Sequence, residues 1–328
     1  IKDATRKRAS KMIALVYLAK PRFGGWVTYT AHLFKSLCAN GVRPYLFKQS
    51  NKSENTTRPY AQSVHYQNLS GADLLSLDMP VLIVALDKNY MEIGKELLKR
   101  GAQIVIHDTM EQNSNFISYL KKNEISPITI RPIVSGWFAD QGIHAPYIPH
   151  PYVRQVKTAY KKTRKAVATS RIDFDKHTEI ICAANVINPS IDIYGAENRL
   201  FTFHKIEKEY PNWRERYHGQ FKNVYPIVGS ADYMVDMTAI HQDGGGSQYT
   251  FLEAWDTGTI CVLNKAWDVG GVMEDSKTCL YVENAQELSE TLRREPDPQI
   301  IQNGYEALKD YDGARIGEIY LEKIGFAP

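Results

Sequence analysis

Long hydrophobic runs are missing from this chain. In its 328 residues no apolar stretch approaches the roughly 18 to 20 residues that span a bilayer, and no signal-peptide succession of charged, apolar and small residues opens it. The expectation is a cytoplasmic protein without membrane insertion. Cysteine is scarce: Cys38, Cys182, Cys261 and Cys279 lie far apart, mostly in apolar surroundings and without a C-x-x-C pair, which argues against a disulfide framework or zinc site and for reduced core thiols. An excess of charge of one sign is nearly absent, the formal net charge being only +3, so overall charge argues only weakly for a polyanion partner. There is no G-x-G-x-x-G fingerprint and no Gly-Lys-Ser/Thr phosphate loop, which removes support from nicotinamide and ATP readings. Neither a Ser-His-Asp order, nor a nucleophile elbow, nor an internal repeat, nor a low-complexity tract is found.

What is present is a regular alternation of apolar strands and helical patterns. Strands are expected at 12–19, 42–47, 81–86, 103–106, 128–130 and near Tyr147-Ile148, with helices at 27–39 and 90–100 and a polar loop at 49–59. Pro146, Pro149 and Pro151 cluster around His150, and the alternation restarts with strands at 166–169, 191–194, 232–236 and 260–263 and helices at 176–186, 199–210 and 248–256. This is the pattern of parallel sheets covered by helices on both faces. The economical architecture is α/β, two doubly wound Rossmann-like domains facing across a cleft: residues 1–150, residues 151–311, and a last helix over 312–328 that returns to the first domain. Ligands of such sheets bind at the carboxyl ends of the strands.

The densest signal is His241 to Gly271. A Gly-rich loop, Asp243-Gly244-Gly245-Gly246-Ser247, leads through Gln248 and Tyr249 into a helix carrying Glu253 among apolar neighbours, and a strand and a second Gly-Gly turn follow. Backbone N–H groups at a helix N-terminus approached through glycines are suited to an anion. Glu253 is placed either to accept bonds from a pair of ribose hydroxyls or to point into solvent. A second Gly loop, Pro21 to Trp26 with Gly24 and Gly25, follows the first strand, and His107-Asp108 follows a later one. His107 is a structural or a catalytic histidine, and Asp108 is a rival general base. The segment Thr169 to Lys176 also follows a strand and opens a helix. Arg171 and Lys176 would place two cations at a diphosphate, each charge-assisted bond contributing about 1.5 to 3 kcal/mol, or else form a salt bridge with Asp173 or Asp175.

These segments resemble the retaining GT-B glycosyltransferases, in order and over most of the chain, with 169–176 and 243–263 the specific parts. The resemblance implies that Arg171 and Lys176 hold the donor diphosphate and act catalytically, with His107 beside the donor sugar as a further catalytic candidate; Asp108 remains the rival general base. It implies that Gly24, Gly25, Gly244, Gly245, Gly246, Ser247, Gln248, Tyr249 and Glu253 bind the donor, a UDP-sugar. The family pattern has two glutamates eight positions apart; Glu253 matches the second, while the first falls at Gly245, a departure at the donor sugar. No metal and no further cofactor are implied. Asp173-Phe-Asp175 matches the metal motif of a different glycosyltransferase fold and is read here as helix capping.

In compact size, reduced glutamate pattern and the segments 106–108 and 249–253, the chain is loosely similar to the DNA glucosyltransferases of T-even phages. That likeness implies transfer to a hydroxymethylated base in double-stranded DNA, in a host cytoplasm, with the base leaving the stack. Phe23, Trp26, Lys161 and Lys162 would then contact the acceptor, the lysines belonging to a basic run over 157–165. Two alternatives stand beside it: a cytoplasmic glycosyltransferase acting on a surface-glycan or lipid-linked acceptor, and a non-catalytic nucleic-acid-binding protein on the same fold. The sequence carries no indication of oligomeric state.

Overall fold

The computed structural model describes residues 11–20, 25–107, 114–156, 158–239 and 248–326. The chain divides into two units, Ile1–Val153 with Tyr311–Pro328, and Arg154–Asp310.

The first unit runs β1 (Met12–Leu18), α1 (Gly25–Ala39), β2 (Arg43–Gln49), β3 (Arg58–Ala61), β4 (Val64–Leu69), α2 (Gly71–Leu75), β5 (Val81–Leu86), α3 (Met91–Lys99), β6 (Gln103–Ile106), α4 (Ser114–Lys122), β7 (Ile128–Thr129) and α5 (Pro132–Asp140). Its sheet has the order β3-β4-β2-β1-β5-β6-β7, parallel except where β3 pairs with β4. The apolar runs of β1 and β5 follow from burial on both faces: Ile13 through Leu18 are no more than 2% exposed. Val16, Ile83, Ile104, Phe116 and Phe138 join one core on this sheet. The α1 helix stops at Asn40-Gly41, where Gly41 takes φ +72° and ends the helix in the left-handed region.

The second unit runs β8 (Arg164–Ala168), α6 (Thr178–Ile187), β9 (Ile191–Ile193), α7 (Arg199–Phe201), α8 (Glu207–Glu209), α9 (Tyr225–Gly229), β10 (Ala231–Asp236), α10 (Tyr249–Asp256), β11 (Ile260–Asn264), β12 (Cys279–Val282), α11 (Ala285–Arg293) and α12 (Pro298–Leu308). Its strands are all parallel in the order β12-β11-β10-β8-β9. The chain leaves β8 toward β9, then crosses back to β10 on the other side. That reversal leaves the carboxyl ends of β8 and β10 uncovered by their own connections, which is where doubly wound sheets bind ligands.

The last helix, α13 (Gly313–Lys323), belongs to the first unit and packs on α1. Close approach is set by glycine: a Cβ on Gly317 would lie 2.6 Å from Asn40 Nδ2 and 2.8 Å from the Ser36 carbonyl oxygen. Asn40 Nδ2 donates to the Ala314 carbonyl at 2.8 Å, and the Tyr29 and Tyr320 hydroxyls meet at 2.6 Å in the same interface. His32, on α1, stacks on Tyr152 and accepts the Val153 N–H at Nδ1, 2.9 Å away.

Several expectations need correction. The polar stretch 49–59 is not loop throughout, because β3 begins at Arg58 and forms an edge hairpin with β4; Gln62 and Ser63 turn it with φ +48° and +68°. Near Tyr147 there is only a single bridge to Thr129. The helix over 199–210 is interrupted by a π-helical turn, Thr202–Ile206. All four cysteines are free, but Cys38 is exposed rather than in the core. Among the described residues no helix is long and apolar enough to cross a membrane.

Gly317→Val should destabilise the first unit by about 1 to 3 kcal/mol through overpacking. Gly25→Ala, where a Cβ meets nothing within 4 Å, should be close to neutral. Chemical denaturation of the two variants checks the contrast.

Candidate functional site

The residues that converge lie at the carboxyl ends of β8 and β10. After β8 the backbone turns sharply past Gly195, whose own φ is +148° and where a Cβ would lie 2.0 Å from the Ser170 carbonyl oxygen. Ile172 N–H donates to the Ala196 carbonyl at 2.9 Å. The Arg171 segment is therefore laid directly on the backbone that follows β9.

Arg171 is more than half exposed, its side chain 58% accessible, and makes both of the rival ion pairs: Nη1 to Asp173 Oδ2 at 3.0 Å and Nη2 to Asp175 Oδ2 at 3.1 Å. Asp173 is buried and fixed, accepting from the Phe174 N–H at 2.9 Å and from Asn198 Nδ2 at 2.8 Å. It caps the 3-10 turn Phe174–Lys176 and not α6, whose first turn follows His177 in the left-handed region at φ +44°. Exposed ion pairs of this kind contribute about 0 to 1 kcal/mol, so the guanidinium is easily drawn to a more highly charged anion.

Lys176 is treated differently. Its ammonium donates to Thr238 Oγ1 at 3.0 Å, just beyond the end of β10. Thr238 in turn donates its hydroxyl and its backbone N–H to Asp236 Oδ1, the latter at 3.0 Å, and the Thr250 hydroxyl reaches Asp236 Oδ2 at 3.5 Å. Asp236 is 3% exposed. Nothing in the sequence reading singled out Asp236, Thr238 or Thr250; the available signal was an acid at the end of an apolar strand. Thr169, at the end of β8, is also buried, and its hydroxyl lacks a hydrogen-bond partner.

Thr250 lies in the first turn of α10, and Glu253 follows it by one turn. Glu253 is 7% exposed, so the alternative of a solvated helix residue does not hold. Among the described residues no donor reaches its carboxyl. Burial, reinforced by the charge of Asp256, pushes its pKa up from 4.5 to about 8. Asp256, one turn further on, is buried too, yet is satisfied by Arg154 Nε at 2.8 Å and by the Gln155 and Val156 N–H groups at 2.9 and 3.2 Å. The same short helix thus carries one structural carboxylate and one that has no partner among the described residues.

Of the other donor-binding candidates, Gln248 stands at the N-cap of α10 without a side-chain cap bond and Tyr249 is buried in its first turn. Gly244, Gly245, Gly246 and Ser247 lie outside the described residues, as do Gly24, Phe23 and Asp108. Gly25 opens α1 with open space around it.

His107 is held in the interior of the first unit. It is 4% exposed, and its Nε2 lies 2.8 Å from the Val84 carbonyl, which only accepts, so that nitrogen carries the proton. Burial lowers its pKa to about 4; the Val84 bond opposes this and the Arg131 charge adds to it. The ring packs edge-on to Tyr29 at 4.8 Å, and Trp26 lies tilted against it at 5.6 Å, so Trp26 rests on the histidine. Lys162 needs correction as an acceptor contact: its ammonium donates to the Ala231 carbonyl and Thr259 Oγ1, both at 2.8 Å, and burial lowers its pKa to about 8. Lys161 is exposed.

Two doubly wound Rossmann-like domains, the second with its strand order reversing between β8 and β10, are the GT-B fold. No family model and no curated protein sequence matches the chain. Solved structures do. Alr3699/HepE of Anabaena, solved with UDP and glucose, has a TM-score of 0.70 at 13% identity over 96% of this chain and 100% of its own. The α-glucosyltransferase of phage T4, with UDP-glucose and DNA containing an abasic site, reaches 0.70 at 14% identity over 96% and 100%. The pneumococcal O-GlcNAc transferase GtfA, with UDP and GlcNAc, reaches 0.67 at 10% over 97% and 99%. These neighbours are GT-B glycosyltransferases, and what is shared at such identities is the fold.

A carboxyl whose folded pKa is raised stabilises most below its unfolded value, and the benefit is lost as pH rises through the folded one. For Glu253 that window is 4.5 to about 8. Glu253→Gln should therefore gain in melting temperature relative to the parent as pH is raised from about 5 to about 9. A difference that stays flat across this range contradicts the burial of the carboxyl.

Proposed function

We propose that this chain is a glycosyltransferase that takes its sugar from a nucleoside diphosphate, UDP being the nucleotide, with retention at the anomeric carbon. The observation that carries the reading is the unpartnered, buried Glu253 carboxyl on a helix tied through Thr250, Asp236 and Thr238 to the Lys176 ammonium. A cation suited to a phosphate is bonded, through Thr238 and Asp236, to a threonine on the helix that also carries a carboxylate suited to a ribose diol. The structures most like this chain include ones that hold UDP or UDP-glucose.

Lys176 and Arg171 would stabilise charge that grows on the departing diphosphate, an interaction that strengthens as the glycosidic bond breaks. With two cations there, no divalent metal is required, and turnover should survive EDTA. Glu253 has to lose its proton to accept from two hydroxyls, so UDP binding near neutral pH should release a proton.

For the acceptor we propose a hydroxymethylated base in duplex DNA. Its support is the full-length likeness to the α-glucosyltransferase whose structures contain DNA, in one case with a HMU base. Exposed Lys161 is available for phosphate contact and Lys162 is not. The likeness to GtfA, an O-GlcNAc transferase, gives weight to a non-DNA acceptor.

Arg171→Ala and Lys176→Ala should each lower turnover of a UDP-sugar by about ten- to a hundredfold, the equivalent of one charge-assisted hydrogen bond, while leaving the melting temperature within a few degrees. Unchanged rates in both variants rule out the diphosphate assignment. Supplied with radiolabelled UDP-glucose or UDP-GlcNAc, the protein should label hydroxymethylated duplex and leave unmodified duplex unlabelled. Donor hydrolysis without DNA labelling supports the glycan acceptor instead, and the absence of both supports a binding protein.

A further inference from the structure

We propose that Asp236 and Thr238 are positioning residues that aim the Lys176 ammonium at the diphosphate; the inference rests on the function proposed above. The juxtaposition that carries it is a buried carboxyl at the end of the central strand that, among the described residues, is bonded to neutral donors and lies one hydroxyl away from a lysine with no carboxylate partner.

Asp236 ends a strand whose other residues, Ala231 to Val235, are apolar apart from Asp232 and are mostly fully buried. Placing a carboxyl there is costly unless it is paired with a cation. Among the described residues no ammonium or guanidinium lies within ion-pair distance of it. Its partners are the Thr238 N–H and hydroxyl and, more distantly, the Thr250 hydroxyl. A leucine would pack this position with less penalty, so core stability does not account for the acid.

Hydrogen-bond direction accounts for it. A threonine hydroxyl has one hydrogen and two lone pairs. With its hydrogen committed to Asp236, only lone pairs face Lys176 Nζ at 3.0 Å. The lysine side chain has long, flexible methylenes and loses much rotamer freedom when held. An acceptor that cannot rotate away gives its ammonium one location, beside the first turn of α10. That location also keeps it from Asp173 and Asp175, which are already engaged with Arg171. Thr238 is neutral, so the Lys176 charge is not cancelled, and an ammonium has two further hydrogens for phosphate oxygens. Because Asp236 also receives Thr250, three residues before Glu253 on α10, one buried acid sets the cation relative to the helix that carries the ribose carboxyl.

A double-mutant cycle read by calorimetric titration with UDP separates positioning from a general structural role. Thr238→Val should weaken UDP binding about five- to tenfold, the loss expected of one ordinary net hydrogen bond, since the valine misplaces the ammonium without removing it. In a Lys176→Met background the same change should cost less than about twofold, and Thr238→Ser in the parent should bind within about twofold of it. Melting temperatures without UDP check that each variant is folded, and the serine variant keeps the hydroxyl should valine perturb the turn. Equal losses in both backgrounds, or no loss from Thr238→Val where Lys176→Met weakens binding, overturn the positioning role and leave the proposed function standing. If the parent takes up no UDP, or Lys176→Met binds it as the parent does, the proposed function fails and the positioning role fails with it.

Discussion

The site depends on one topological constraint, the crossing of the chain from β9 back past β8 to β10. In a parallel sheet every strand-to-helix turn emerges at the same edge, and ordinarily each turn is covered by its own helix on the same side as its neighbour. At the β8/β10 reversal the two turns diverge, and side chains that follow each strand can meet there. Lys176 comes from one turn and Thr238 from the other, and their 3.0 Å bond closes the distance between segments 62 residues apart in sequence. An ammonium in that place is a product of strand order before it is a product of its own neighbours.

The two carboxyls of α10 show how one helix serves fold and chemistry separately. Asp256 is at the C-terminal end, where the helix dipole disfavours negative charge, and it is compensated by Arg154 and two backbone N–H groups. It secures the segment entering the second unit. Glu253 has the burial without the compensation, and its pKa rises to about 8 in consequence. A fold that only needed an acid in this helix would have satisfied both. Leaving one unsatisfied beside Asp256 stores unfavourable free energy that a pair of hydroxyl donors can relieve, which is how binding sites commonly offset local strain against ligand contacts.

Much of the fold was legible in the sequence because both sheets are parallel and buried on two faces. Runs such as Val81–Leu86 and residues 260–263 of β11 are continuous in apolar residues, and pattern locates the strands within a residue or two. The hairpin of β3 and β4 escaped because it is an edge element of half-buried, mixed residues, with a Gln-Ser turn in place of the usual glycine. At the site, Arg171, Lys176 and Glu253 stood out as charges beside helix starts. Their supporting residues did not, since Asp236, Thr238 and Thr250 acquire meaning only once strand order brings them together. Lys162 misled for the same reason: a lysine in a basic run reveals nothing about which carbonyl is waiting for it in the folded chain.

The contrast between the two cations follows from these surroundings. Arg171 is exposed and compensated by two carboxylates, so an arriving diphosphate has to compete with Asp173 and Asp175 for the guanidinium, and salt weakens both sides of that competition. Lys176 is held by a neutral oxygen, so among the described residues no direct anionic partner opposes its attraction for a phosphate. Ground-state binding should therefore draw chiefly on Lys176. Arg171, with five donors in a planar fork, has most to offer where charge is greatest, on the leaving diphosphate as the sugar departs. A group that gives up two existing ion pairs for one stronger one does so most readily when the anion gains charge, which places the larger share of the Arg171 contribution in the transition state.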